Sequence, residues 1–136
     1  MRLIFEESGV ATIHRVDADR MIILKWLKFN AAEEFKTVLN NVRDAFAETK
    51  YARVLVDTSE TKGMISAENQ KWMEELHFPK LLEQNICKYV ATVVPGTVLG
   101  QMTTEQWQDN LTKIADMELI NVKSSDEGIS WLKGKK

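Results

Sequence analysis

With 136 residues, of which 44% are hydrophobic and 28% charged, the chain has the make-up of one globular domain, long enough to bury a core without metal or disulfide staples. Eighteen basic against twenty acidic residues leave a net charge of −2, and no stretch supplies the basic face that a nucleic-acid partner requires. The lone Cys87 excludes an internal disulfide, so the cytoplasm is the expected location.

Glu6 and Glu7 stand where a secretory peptide would need its apolar centre, and no export signal is expected. The longest uncharged run, 89–104, is interrupted by Pro95, Gly96 and Gly100 and is too short to cross a bilayer comfortably as a helix. An integral membrane protein is therefore not expected.

The first thirty residues have strand periodicity. Leu3-Ile4-Phe5 opens it. Val10, Thr12, His14 and Val16 then alternate with Ala11, Ile13 and Arg15, and Met21 to Leu27 is apolar on both faces apart from Lys25. Ser8-Gly9 and Asp17-Ala18-Asp19 are turn signals, so the opening is an antiparallel meander. Asn30 precedes the stripe Phe35, Val38, Leu39, Val42, Ala45 and Phe46, whose spacing puts all six on one helical side. With Glu33 three residues on, Asn30 predicts a capped helix reaching about Thr49.

Val54-Leu55-Val56 reads as an interior strand covered on both faces. Ser66 predicts the cap of a second helix burying Trp72, Met73 and Leu76, which Pro79 should break before a short turn carrying Leu81 and Leu82. Ile86 to Val94 repeats the interior-strand pattern and stops at Pro95. Thr103 with Gln106 predicts the cap of a third helix with inner residues Trp107, Leu111, Ile114 and Ala115. Met117 to Val122 is a last strand, and Ser124 with Glu127 opens a last helix through Ile129 and Leu132, with Trp131 at its margin. The fold class is thus α/β: one domain spanning 1–136, a mixed sheet opening with an antiparallel β-meander followed by right-handed βαβ crossovers.

Catalytic patterns are absent from the sequence. His14 and His77 are the only imidazoles, one in an early strand and one beside Phe78-Pro79, and neither is placed by spacing to activate Cys87 or a serine. Cys87 itself fits a small buried hydrophobe. There is no His-x-x-x-His, cysteine pair or acidic calcium loop, and the adjacent pairs Glu6-Glu7, Glu33-Glu34 and Glu74-Glu75 point apart, so no metal site is expected. Residues 95–100 carry two glycines after a strand but lack the Lys-Ser/Thr ending of a phosphate loop. No enzyme activity and no cofactor are expected.

One position remains for a ligand, the carboxyl ends of the parallel strands, where open α/β sheets favour binding. Asp57, Thr58 and Ser59 supply polar groups there. Thr97, Val98 and Met102 come from the loop after the next strand, whose apolar side chains either cover a core edge or face a ligand. These six residues are the candidate ligand site.

The run Val54-Leu55-Val56-Asp57-Thr58-Ser59 leading to Ile65-Ser66 at a helix start resembles the STAS superfamily of anti-sigma-factor antagonists. Gln70-Lys71-Trp72, Phe78-Pro79-Lys80, Ile86 to Val94, Glu105-Gln106 and Ile129-Ser130-Trp131-Leu132 are similar to small bacterial SpoIIAA-like, or STAS/SEC14-like, proteins. The resemblance implies a SpoIIAA-like fold and a non-enzymatic module that holds a small apolar or lipid-like ligand beneath mobile segments, with the loop Val98-Leu99-Gly100-Gln101-Met102 as a lid that its glycine lets move, and with at most transient contact with a membrane surface. It also implies an alternative, a regulatory domain docking a protein partner at Ser66, the position matching the family's phosphorylated serine. Here the family's Asp-Ser-Ser-Gly reads Ile65-Ser66-Ala67-Glu68; the leading acid and the glycine are missing, and an ordinary helix cap fits Ser66 as well. A homodimer formed through the open edge of the meander is compatible with either.

Overall fold

A computed structural model of the chain describes residues 1–114 and 116–135; Ala115, Lys136 and the side chains of Leu99 and Ile114 lie outside that description, so the predicted inward positions Ile114 and Ala115 do too. Strands β1 (Arg2–Glu7), β2 (Ala11–Val16) and β3 (Met21–Trp26) form the antiparallel meander. Helix α1 (Glu33–Thr49) then crosses to β4 (Arg53–Asp57), which lies parallel to β3. Two more parallel strands follow, β5 (Tyr89–Val93) and β6 (Glu118–Val122), so that six strands stand side by side in chain order. The protein is mixed α/β, as its alternating patterns predict.

Consecutive strand order decides where the helices go. Repeated crossovers of one hand, each stepping to the next strand in the same direction, return on the same face of a sheet. Residues of α1, of the segment between β4 and β5, and of α4 (Val98–Ile114) accordingly share one core with Ile22, Leu24, Val54 and Val90. The other face is covered by α5 (Ser125–Lys133), whose Leu132 joins Met21, Leu55, Ala91, Val93 and Val122. Ser124 caps α5 as its spacing predicts, accepting from the Glu127 amide at 3.2 Å. Gly128 lets that helix lie close: a Cβ there would stand 2.5 Å from Leu55 Cδ1.

Three helix expectations change. All six stripe residues of α1 are buried, but the helix starts at Glu33, and Asn30 does not cap it. The chain from Lys28 to Phe29 is instead held alongside Lys62, with the Phe29 amide donating to Lys62 O at 2.9 Å, while Asn69 Nδ2 donates to the carbonyls of Ala31 and Ala32. Those tertiary bonds keep residues 28–32 out of helical geometry.

Pro79 does not break the second helix. The helical run continues from α2 (Ala67–Trp72) through a π-helical turn, Met73–His77, into α3 (Phe78–Gln84). The wide turn, in which the Phe78 amide reaches back five residues to Met73 O, accommodates a residue that has no amide to donate and would crowd an α-helical carbonyl. Met73 is buried as expected, Trp72 and Leu76 only partly, and His77, Phe78 and Leu81 fill the inner side.

The third helix starts five residues before the expected cap. Thr97 Oγ1 accepts from the Gly100 amide at 3.1 Å, and Thr103, expected as the cap, lies inside α4 and is fully buried. Trp107 and Leu111 face inward as predicted. Among the described residues no helix is long and apolar enough to cross a membrane.

Candidate functional site

The carboxyl-end rim comes together as the strand order requires. Asp57 and Val93 are register partners, and both the amide and the hydroxyl of Thr58 donate to Val93 O, at 3.1 and 2.6 Å. Thr58 is thereby fully buried and its donors are spent on the fold. Asp57 is also engaged, accepting from the Ser59 amide at 3.0 Å and the Ser59 hydroxyl at 2.6 Å. A ligand at this rim would compete with these bonds.

The expected lid is no loop. Thr97 caps α4, while Val98 and Met102 lie on its first turns, 74% and 54% exposed. Gly100 is a packing position, because a Cβ there would stand 2.7 Å from Pro95 Cβ. A switch-point crevice opens where neighbouring connections leave a sheet on opposite faces, whereas the connections that follow β4 and β5 leave on the same one.

Ser66 is exposed at the start of α2, and its hydroxyl accepts from the Asn69 amide at 3.1 Å. That is the geometry of an N-cap. Glu68, in the first turn, is joined to Lys36 of α1 at 3.4 Å.

A hollow of about 80 Å³ lies inside the main core, away from the rim, and none of the six predicted ligand residues lines it. Its floor is the sheet, with Leu24, Trp26, Val54, Val56 and Val90. The aromatic and aliphatic stripe of α1 forms one wall, and Met73, His77, Phe78 and Leu81 form the opposite one. Trp107 and Leu111 of α4 close it, and Cys87, just before β5, contributes a thiol. Trp26 stacks on Phe35 with ring centres 5.1 Å apart. The lining residues are apolar, aromatic or thiol side chains with one exception.

That exception is His77. It is 96% buried by its 4% exposure, stacks on Trp72 with ring centres 5.9 Å apart and tilts against Phe78 at 5.5 Å. Its Nδ1 has no hydrogen-bond partner among the described residues. Burial drives its pKa down to about 3, and the charge of Arg43 on α1 pushes the same way, so the ring is neutral. Burial likewise pushes the Cys87 thiol up to about 12. A base this weak and a thiol this reluctant to ionise suit hydrogen bonding and packing rather than proton abstraction or nucleophilic attack at neutral pH.

The sequence carried a signal for this residue. Gln70, Met73, His77 and Leu81 recur at three- and four-residue spacing, one inward helical stripe. Reading Pro79 as a break hides it. Among the described residues, no group of three or more histidine, cysteine, aspartate or glutamate side chains converges on a metal position. The molecule thus belongs to the mixed α/β proteins with helices on both faces of one sheet and a hollow under the larger helical layer. Comparison with protein-family models, with curated proteins and with solved structures gives no match.

Proposed function

We propose that this chain is a non-enzymatic, cytoplasmic binding module of the SpoIIAA-like (STAS/SEC14-like) type that holds a compact apolar molecule between α1, the π-helical turn and the sheet. The observation that carries the reading is an apolar hollow with a buried, unpartnered imidazole in its wall. Protein interiors are close-packed, with few voids larger than a water, and an unsatisfied buried polar group costs stability, about 1–3 kcal/mol. Both features together are what a site retains when it is kept for a ligand. The size narrows the occupant. About 80 Å³ is roughly half the engineered cavity that accepts benzene and well below a drug-sized pocket. A long lipid tail therefore fits poorly, and a ring-sized or short-chain molecule fits once Met73, the most adaptable wall residue, repacks.

Xenon uptake followed by NMR tests the reading, because xenon partitions into dry apolar cavities. The expected result is saturable perturbation of Trp26, Val90 and Leu111 signals, lost in Cys87→Leu, which fills the hollow from its β5 side. No uptake by the unaltered protein would overturn the proposal.

The alternative, docking of a protein partner at Ser66, has the exposure of that residue in its favour. Ser66→Asp retains a capping side chain and would alter partner binding with little effect on stability. Homodimer pairing at the meander edge is disfavoured by β1 itself, which is bulged between Leu3 and Phe5 and carries Arg2, Glu6 and Glu7, features that blunt an edge.

A further inference from the structure

The cavity wall is unequal in chemistry. Its described lining residues include no charged side chain, and Arg43, whose charge acts on His77, is not among them, so an ion placed there would be desolvated without a charged partner in the wall, a cost that weighs against an ionic guest. Hydrogen-bonding capacity in the wall comes chiefly from the imidazole, since an indole N–H can only donate and a thiol is weak in both roles. A neutral imidazole has one nitrogen that donates and one that accepts, and either can meet a hydroxyl. The rings that line the hollow with it, Trp26, Phe29, Phe35, Phe46, Phe78 and Trp107, give the wall flat, rigid surfaces, which favour a planar body.

We infer that His77 is the recognition residue of this cavity and that the ligand class is a compact, uncharged, ring-sized molecule carrying a single hydroxyl, which bonds the free nitrogen of the imidazole. The inference rests on the cavity reading above and adds the chemistry by which one apolar molecule is chosen over another. The position of His77 agrees with it. The residue closes a π-helical turn, a widened turn that recurs at functional sites, and a purely structural residue in this wall would be better apolar, because replacing a buried unpartnered polar group by an apolar one of similar shape relieves a penalty.

The test is a matched pair, 4-fluorophenol and 4-fluorotoluene, which differ in a hydroxyl against a methyl and are followed by fluorine NMR titration of the full chain. The phenol is expected to bind about tenfold more tightly, the effect of one hydrogen bond of about 1.4 kcal/mol. In His77→Phe that preference is expected to vanish while 4-fluorotoluene affinity is retained. Should the variant fold poorly, His77→Gln, which keeps hydrogen-bonding capacity, is expected to preserve part of the preference. Equal affinities for the two probes in the unaltered protein, or a preference that survives in His77→Phe, would overturn the inference while leaving the cavity reading intact. Failure of both probes to bind would overturn the inference and the cavity reading together.

Discussion

The two faces of the sheet solve the same packing problem differently. On the α5 face a short helix lies so close that a glycine is needed at Gly128, and small and branched side chains, Ala91, Val93, Val122 and Leu55, fill the remaining space. On the other face long helices carry rings: Phe35, Phe46, Phe78 and Trp107. Large rigid side chains leave gaps that small ones do not, and only this face encloses the hollow described above. Close approach of backbones gives a dense core; separation by aromatic residues gives one with room for a guest.

The largest expected effect sharpens that contrast. Leu132→Ala removes a fully buried side chain from the dense face and should cost about 4 kcal/mol. Leu111→Ala, at the edge of the hollow, should cost about 2 kcal/mol, because part of that side chain already faces empty space and has fewer contacts to lose. Urea unfolding of the two variants measures the difference. Equal costs would mean that the hollow does not loosen its own wall.

Acid is the next lever. His77 is held neutral with a pKa of about 3, against about 6.5 for a free histidine. Below pH 6.5 the unfolded chain therefore binds a proton that the folded one does not, and stability contributed by the neutral ring falls as pH drops from 6.5 toward 3. Between pH 7 and pH 5 the unaltered protein should lose about 2 kcal/mol more than His77→Phe. Urea midpoints of both at the two pH values decide it, since the rest of the chain is common to the pair. Parallel pH profiles would remove the buried imidazole from the acid response.

A smaller effect separates the rim from the cavity. Thr58→Val deletes the hydroxyl that donates to Val93 O while leaving the amide bond to the same carbonyl, so about 1 kcal/mol of stability should go. Affinity for the fluorinated probes should not change. A loss of affinity would return the candidate site to the strand ends.

Much of this architecture is legible in the residues alone. The meander, the six-residue stripe of α1, the interior strands β4 and β5 and the cap at Ser124 all follow from local periodicity, which needs no knowledge of distant contacts. The starts of α1 and α4 do not. Asn30 is overridden by bonds to Lys62 and Asn69, and Thr103 by a cap at Thr97 six residues earlier. At the predicted ligand rim, too, the hydrogen bonds are tertiary: Thr58 spends its amide and hydroxyl on Val93 O. Strand ends identify a rim, but whether a rim opens depends on which face each connection takes.

From its sequence by itself the protein had its class, its strand and helix types and most of its inward-facing residues, because burial is written in periods of two and 3.6 residues. Only the tertiary structure decided that Pro79 rides on a π-helical turn, that His77 lies within the core without a partner for Nδ1, and that His77 and Cys87 share one cavity wall. A void has no residues of its own. It arises where side chains from several elements fail to meet, and no local pattern records that failure.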